Sequence, residues 1–250
     1  MTTRAGAALS AAHRDAAQEL LPLLRRAAEL DPRCVARLQF RAGAATAFLR
    51  LPFGVLVSRS VATSGPTGSV DKDAGVGAGE TAGGAVGQPV VEAVAAAREL
   101  VDWLAAAANL PQPRDADWHA SVPPRVGWRR LETVPDDVIR GLVRKGALAL
   151  KDAAAREGVP GAQLRAEVAA ALLDTVVLTV TDDAVSSTAT TPKSGTAEVT
   201  LRALSALTRM GFLPRGGAAH IDVAGRWIRV AAGYGTVYLE KPGAGLALLR

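Results

Sequence analysis

Four short stretches hold residue types whose spacing could do chemistry. The first is Gly233-Tyr234-Gly235, which follows the apolar run Trp227 to Ala232. A G-x-G after a strand can begin a dinucleotide-binding loop, whose backbone N–H groups cradle phosphates at the mouth of a helix. That fingerprint needs a third glycine three residues on and a helix to follow. Position 238 is Tyr, and Thr236-Val237-Tyr238-Leu239-Glu240 has the composition of a strand. A two-residue turn of type II′ at Gly233-Tyr234 accounts for more. It sets Val230 opposite Val237 and Ile228 opposite Leu239 as an apolar face. Arg229 then lies opposite Tyr238, and Trp227 opposite Glu240, on the other face.

That second face is the stronger candidate. Basic and aromatic side chains interleaved on a sheet can stack bases and grip a phosphate backbone. The competing reading is an ordinary cross-strand pair with Trp227 serving as packing, which an aromatic content of only 4% favours. Upstream, Arg202 and Arg209 fall on a predicted helix over Leu201 to Gly211, and Arg226 precedes Trp227. Together Arg202, Arg209, Arg226, Trp227, Arg229 and Tyr238 form the candidate contact surface. A winged helix would place the helix in a groove and the hairpin as the wing. That arrangement needs another helix directly before the first, where this sequence has a strand and a low-complexity stretch.

The remaining stretches are weaker. Asp115, Asp117 and His119 would point to one side of an extended segment and so offer two carboxylates and an imidazole to a metal. The flanking prolines 113 and 123 favour a polar connector instead. Asp136-Asp137 could act as a general acid/base pair. They also open a predicted helix, where the dipole favours acids without any catalytic role. Asp182-Asp183 read as solvated turn residues. No G-x-S-x-G elbow, H-E-x-x-H pair or phosphate loop is present. The single cysteine, Cys34, has no histidine nearby and excludes any disulfide or cysteine-based zinc site within the chain. The expectation is therefore no catalytic residue, no metal and no cofactor.

Composition sets the wider bounds. The 250 residues are 49% hydrophobic and 21% charged, with a net charge of +5 and a pI of about 9.9. Arg outnumbers Lys 24 to 5, a bias that GC-rich coding also produces. The basic balance permits a nucleic-acid or acidic partner without demanding one. The opening MTTRAGAALS lacks an apolar core segment, so no secretory leader is expected. No apolar run is long enough to span a bilayer, and the cytoplasm is the expected location.

The elements that position these residues read as α+β: mostly antiparallel β meanders with a helical hairpin and flanking helices. A helix over Ala7 to Leu30 kinks or begins at Pro22 and stops at Asp31-Pro32. Ala36, Leu38 and Phe40 alternate with polar residues as a strand. Thr46 to Leu51 and Val55 to Val61 complete a meander. Val90 to Val94 reads as a strand and Ala96 to Ala108 as a helix. Thr133 is a predicted N-cap for a helix to about Glu157, with Val138, Leu142, Leu148 and Leu150 facing the core. Gly158 ends that helix, and Pro160-Gly161 opens its hairpin partner, which runs to about Asp174. Strands follow at Val176 to Thr181, Ala197 to Thr200, Ile221 to Val223, Trp227 to Ala232 and Gly235 to Glu240. Residues 63–89 and 182–196, rich in Gly, Ser, Thr and Ala, read as disordered insertions. Each separates two strands followed by a helix, so two strand-hairpin-helix units are expected. The expected organisation is residues 1–110 as one region, 111–132 as a connector and 133–250 as a second region.

Three functions fit these observations. The foremost is a non-catalytic cytoplasmic binding or adaptor protein that works through protein–protein contacts and has no place in a membrane. The second is a basic nucleic-acid-binding regulator using the C-terminal helix and hairpin. It requires Arg202, Arg209, Arg226 and Arg229 on one exposed face and counts against itself if they pair with acids. The third is an enzyme whose site assembles from residues distant in sequence.

Overall fold

The computed structural model of the chain describes residues 9–41, 43–52, 54–63, 90–106, 109–156, 162–181 and 196–241. Both low-complexity stretches, apart from their end residues Thr63 and Thr196, lie outside the described residues, as do Gly158 and Pro160-Gly161. Two compact units divide between Val122 and Pro123.

The N-terminal unit begins with Ser10 capping α1 (Ala11–Ala16). A short 3-10 turn then leads into α2 (Leu21–Leu30). Pro22 sits in the first turn of α2, where its missing N–H costs nothing. The strands are β1 (Val35–Arg41), β2 (Ala44–Arg50), β3 (Leu56–Ala62) and β4 (Val91–Ala96), and α3 spans Ala97–Ala106. Gly43 turns β1 into β2 at φ 75, a conformation that glycine adopts without a Cβ clash. All pairings are antiparallel, in the order β4–β1–β2–β3. The fully buried Leu20 and Leu24 from the helices, with Leu38, Leu49 and Leu100, centre this unit's core.

The C-terminal unit contains β5 (Arg129–Pro135), α4 (Asp136–Arg156), α5 (Ala162–Leu173), β6 (Val176–Thr181), β7 (Thr196–Thr200), α6 (Leu201–Arg209), β8 (Ala218–Ala224), β9 (Trp227–Ala232) and β10 (Gly235–Glu240). Four strands form an antiparallel sheet in the order β5–β8–β9–β10, and β6 pairs with β7. One face of the sheet is apolar: Ile221, Val230 and Val237 are buried on it. Helix α6 supplies Leu204 and Leu207, and its continuation supplies Phe212, all fully buried. Helices α4 and α5 form the expected hairpin.

The fold is thus α+β and mainly antiparallel, and several elements depart from expectation. Strand–tip–strand–helix does recur, yet the pairing differs: β6 and β7 pair with each other, while β3 and β4 lie on either side of the β1–β2 hairpin. Thr133 is not an N-cap. It lies inside β5, which extends into the expected connector, and a bulge between Arg130 and Glu132 breaks the alternation that would have betrayed the strand. Among the described residues of α4 the buried one is Ile139. Val138 and Leu148, expected in the core, are 45% and 55% exposed. Gly146 explains the rotation: a Cβ there would collide with the Leu201 side chain of α6, so the glycine lets the two helices meet closely.

Candidate functional site

The polar face of the C-terminal sheet is built by strand register. The β9–β10 hairpin pairs Arg229 with Tyr238 and Trp227 with Glu240, as the alternation predicts. The turn itself differs from expectation, because Gly233 lacks the positive φ that type II′ demands. The two glycines serve packing instead. A Cβ on Gly235 would stand 2.5 Å from two ring carbons of Phe212, and one on Gly233 would stand 3.3 Å from Pro214.

Strand β8 adds Asp222 opposite Arg229. Strand β5 adds Arg130 opposite Asp222 and Thr133 opposite His220. Arg130 and Thr133 are an odd number of residues apart, so the bulge is what puts both on one face. Asp222 is 1% exposed. Its Oδ2 accepts from Arg229 Nε at 2.7 Å and its Oδ1 from Arg130 Nε at 3.2 Å. A buried carboxylate needs such donors, since an unpaired charge is costly away from water.

The aromatic residues gather around this ion group. The Arg229 guanidinium lies 4.4 Å from the ring centre of Trp128, within cation–π range. Trp128 donates its Nε1–H to the Pro124 carbonyl at 2.8 Å. Tyr238 sits between Trp128 at 6.0 Å and Trp227 at 6.3 Å, the latter nearly perpendicular. Trp227 is buried. Arg226 covers its ring at 5.6 Å and approaches Glu240 at 3.6 Å. His220 meets the Thr133 hydroxyl at 3.0 Å. Burial lowers its pKa, and Arg130 and Arg229 lower it further against an opposing pull from Asp222.

Trp227, Arg229 and Tyr238 therefore meet on one face, with Arg226 at its edge. Arg202 and Arg209 belong to α6, which packs against the apolar side. Arg202 pairs with Asp174 at 2.7 Å, and Arg209 closes the last turn of its helix, exposed. Trp128, Arg130, His220 and Asp222 were not legible as site residues. One signal was available: Ala224-Gly225-Arg226-Trp227 is a tight turn that places Asp222 across from Arg229.

The other motifs resolve into structure. Asp115–Asp117 forms a 3-10 turn in place of an extended segment, and Asp117 pairs with Arg114 at 3.4 Å. Asp136 accepts from Gly216 N–H at 3.1 Å and from Arg140 at 3.2 Å, fixing the start of α4 to the turn before β8. Asp137 accepts from the Val138 N–H at 2.9 Å. Burial first, then Asp31, pushes the Cys34 thiol up to about 12, far from a working nucleophile. Among the described residues no three of His, Cys, Asp and Glu gather as a metal site, and no helix is long and apolar enough to cross a membrane.

Two family models match the chain. A domain of unknown function, DUF8010, covers residues 4–122, and another, DUF8185, covers residues 123–244. Their shared boundary is the division between the two compact units. No curated protein matches. Among solved structures, the DNA polymerase III subunit beta from Pseudomonas aeruginosa is similar at 12% identity and a TM-score of 0.49, covering 91% of this chain and 62% of that one. A ligand-bound DNA polymerase sliding clamp from the same organism has a TM-score of 0.48 at 12% identity, with the same coverage. The sliding clamp from Caulobacter crescentus has 0.47 at 12% identity, covering 91% of this chain and 63% of that one. The chain spans about 62% of the length of the first of these clamps.

Proposed function

We propose that this chain is a non-catalytic binding protein that works through protein–protein contacts. The observation that carries this reading is a set of apolar side chains left exposed on the C-terminal unit. Val138 and Leu148 on α4 are 45% and 55% exposed, and Val176 at the start of β6 is 42% exposed. Strand β6 adds a β-branched, uncharged sequence, Val176 to Thr181, paired on one side with β7. Exposed apolar side chains and strand edges of this kind are the usual means by which partner proteins dock.

The arginines lend no comparable support to the nucleic-acid alternative. Arg202 pairs with Asp174, Arg226 approaches Glu240, and Arg229 is held by Asp222. A backbone-binding surface needs cations available to phosphates.

Two measurements test the reading. Proteins retained from a cell extract by the full chain are compared with those retained by Leu148→Glu and by Val176→Lys, each shown to be folded by circular dichroism. A species retained by the parent and lost by either variant is expected, and identical sets would refute the proposed surface. Binding to a generic DNA duplex is titrated between about 50 mM and 200 mM salt. A flat, negligible signal is expected. Tight binding that collapses with salt would transfer the assignment to nucleic acid.

A further inference from the structure

The N-terminal unit contains a cleft of about 390 Å³. Three separate segments line it: Asp31 to Val35, which joins α2 to β1; Arg50 to Pro52 with Gly54; and residues 117–120. Each wall is fixed by backbone hydrogen bonds. Cys34 N–H reaches the Asp31 carbonyl at 2.9 Å, and Leu51 N–H reaches Val55 at 2.9 Å. The segment before residue 117 is held to β4 by Arg114 N–H donating to Val94 at 2.8 Å.

The lining is rich in donors. Arg33, Arg50 and His119 face the cleft together with the indole of Trp118. Among the described residues neither the Arg33 nor the Arg50 guanidinium has an acid partner, and the buried Trp118 Nε1 has no acceptor. The two acids of the cleft are already engaged. Asp31 accepts from the Arg33 N–H at 2.9 Å, and Asp117 faces Arg114. Val35 and Leu51 supply an apolar wall. Forked guanidinium donors match the oxygens of carboxylate and phosphate groups.

We infer that this cleft binds a small organic oxyanion, a carboxylate or phosphate ester whose apolar body rests on Val35 and Leu51. Arg33 and Arg50 hold the charge, and Trp118 forms part of the wall against which the ligand lies. The size suits a ligand of a few tens of atoms at most. This site is independent of the docking surface proposed above, since its lining lies wholly within the N-terminal unit.

The test follows the four tryptophan indole N–H signals of the full chain by NMR, with Trp118 assigned through Trp118→Phe. The probes are phenyl phosphate, benzoate and neutral benzyl alcohol, added at constant ionic strength. A saturable shift of the Trp118 signal with phenyl phosphate or benzoate is expected, with a dissociation constant near about 1 mM or tighter. Whichever probe binds more tightly identifies the oxyanion. Arg33→Gln/Arg50→Gln should weaken binding about ten-fold or more, as loss of charge-assisted hydrogen bonds implies. Both arginines are exposed, so the variant keeps its signal dispersion. No saturable shift with either oxyanion, equal binding of benzyl alcohol, or unchanged affinity in the double variant would each overturn the inference.

Discussion

Asp222→Asn isolates the charge at the centre of the C-terminal sheet while keeping its shape. The two arms of the ion group differ in worth. Arg130 is 54% exposed, so water replaces most of what it loses, and its pairing is worth about 0–1 kcal/mol. Arg229 is 25% exposed and meets a carboxylate that is 2% exposed. Removing one partner of a fully buried pair costs about 3–5 kcal/mol. Partial access of water to Arg229 and its retained stacking on Trp128 reduce this, giving about 2–3 kcal/mol for Asp222→Asn. Urea unfolding of the full chain measures the loss. Arg130→Met should cost about 1 kcal/mol or less, clearly below Arg229→Met. The charge change also reaches His220. Asp222 is the group that raises the His220 pKa, so its neutralisation should lower that pKa further, as read from the imidazole proton shifts. An Asp222→Asn protein as stable as the parent, or equal losses for the two arginines, would refute this account.

Gly235→Ala should cost about 1–3 kcal/mol, because Phe212 is fully buried and has no room to retreat from a new Cβ. Adding Phe212→Leu should recover part of that loss, whereas the same second substitution in the parent only destabilises. His220 titrates below its ordinary value of 6.5 in the folded state. The unfolded chain thus binds its proton first, and the fold loses stability as pH falls through about 6.5 towards the folded pKa. The urea midpoint of the parent should drop more between about pH 7.5 and pH 5 than that of His220→Gln. Cys34 should resist a thiol reagent at about pH 8 in the folded protein and react at once in denaturant, since burial keeps it protonated.

What could be read from the sequence follows from how local each feature is. The β9–β10 register was legible to the residue, since period-two alternation and a two-residue turn specify it within one hairpin. Helix α4 was legible as a helix, but its buried side was not. That side depends on Gly146 meeting Leu201 across a distant contact. The pairing of β4 with β1 was hidden for a similar reason, as it joins residues more than 50 positions apart. Strand β5 was missed because its bulge disrupts the period that strand recognition needs. The Arg33, Arg50 and Trp118 cleft leaves no motif at all, because three segments distant in sequence build it.

The bulge in β5 is the one point of that strand where the polar face tolerates a change of length. Loss of the extra residue itself, Leu131, would leave Arg130 and Thr133 two positions apart, the spacing of Asp222 and His220 across from them, so plain alternation would keep both on the polar face. Substitutions along this strand change one side chain at a time. A one-codon deletion elsewhere in the strand exchanges the two sides of what lies beyond it, so relatives that keep the ion group have either three steps between the Arg130 and Thr133 positions with the bulge or two steps without it.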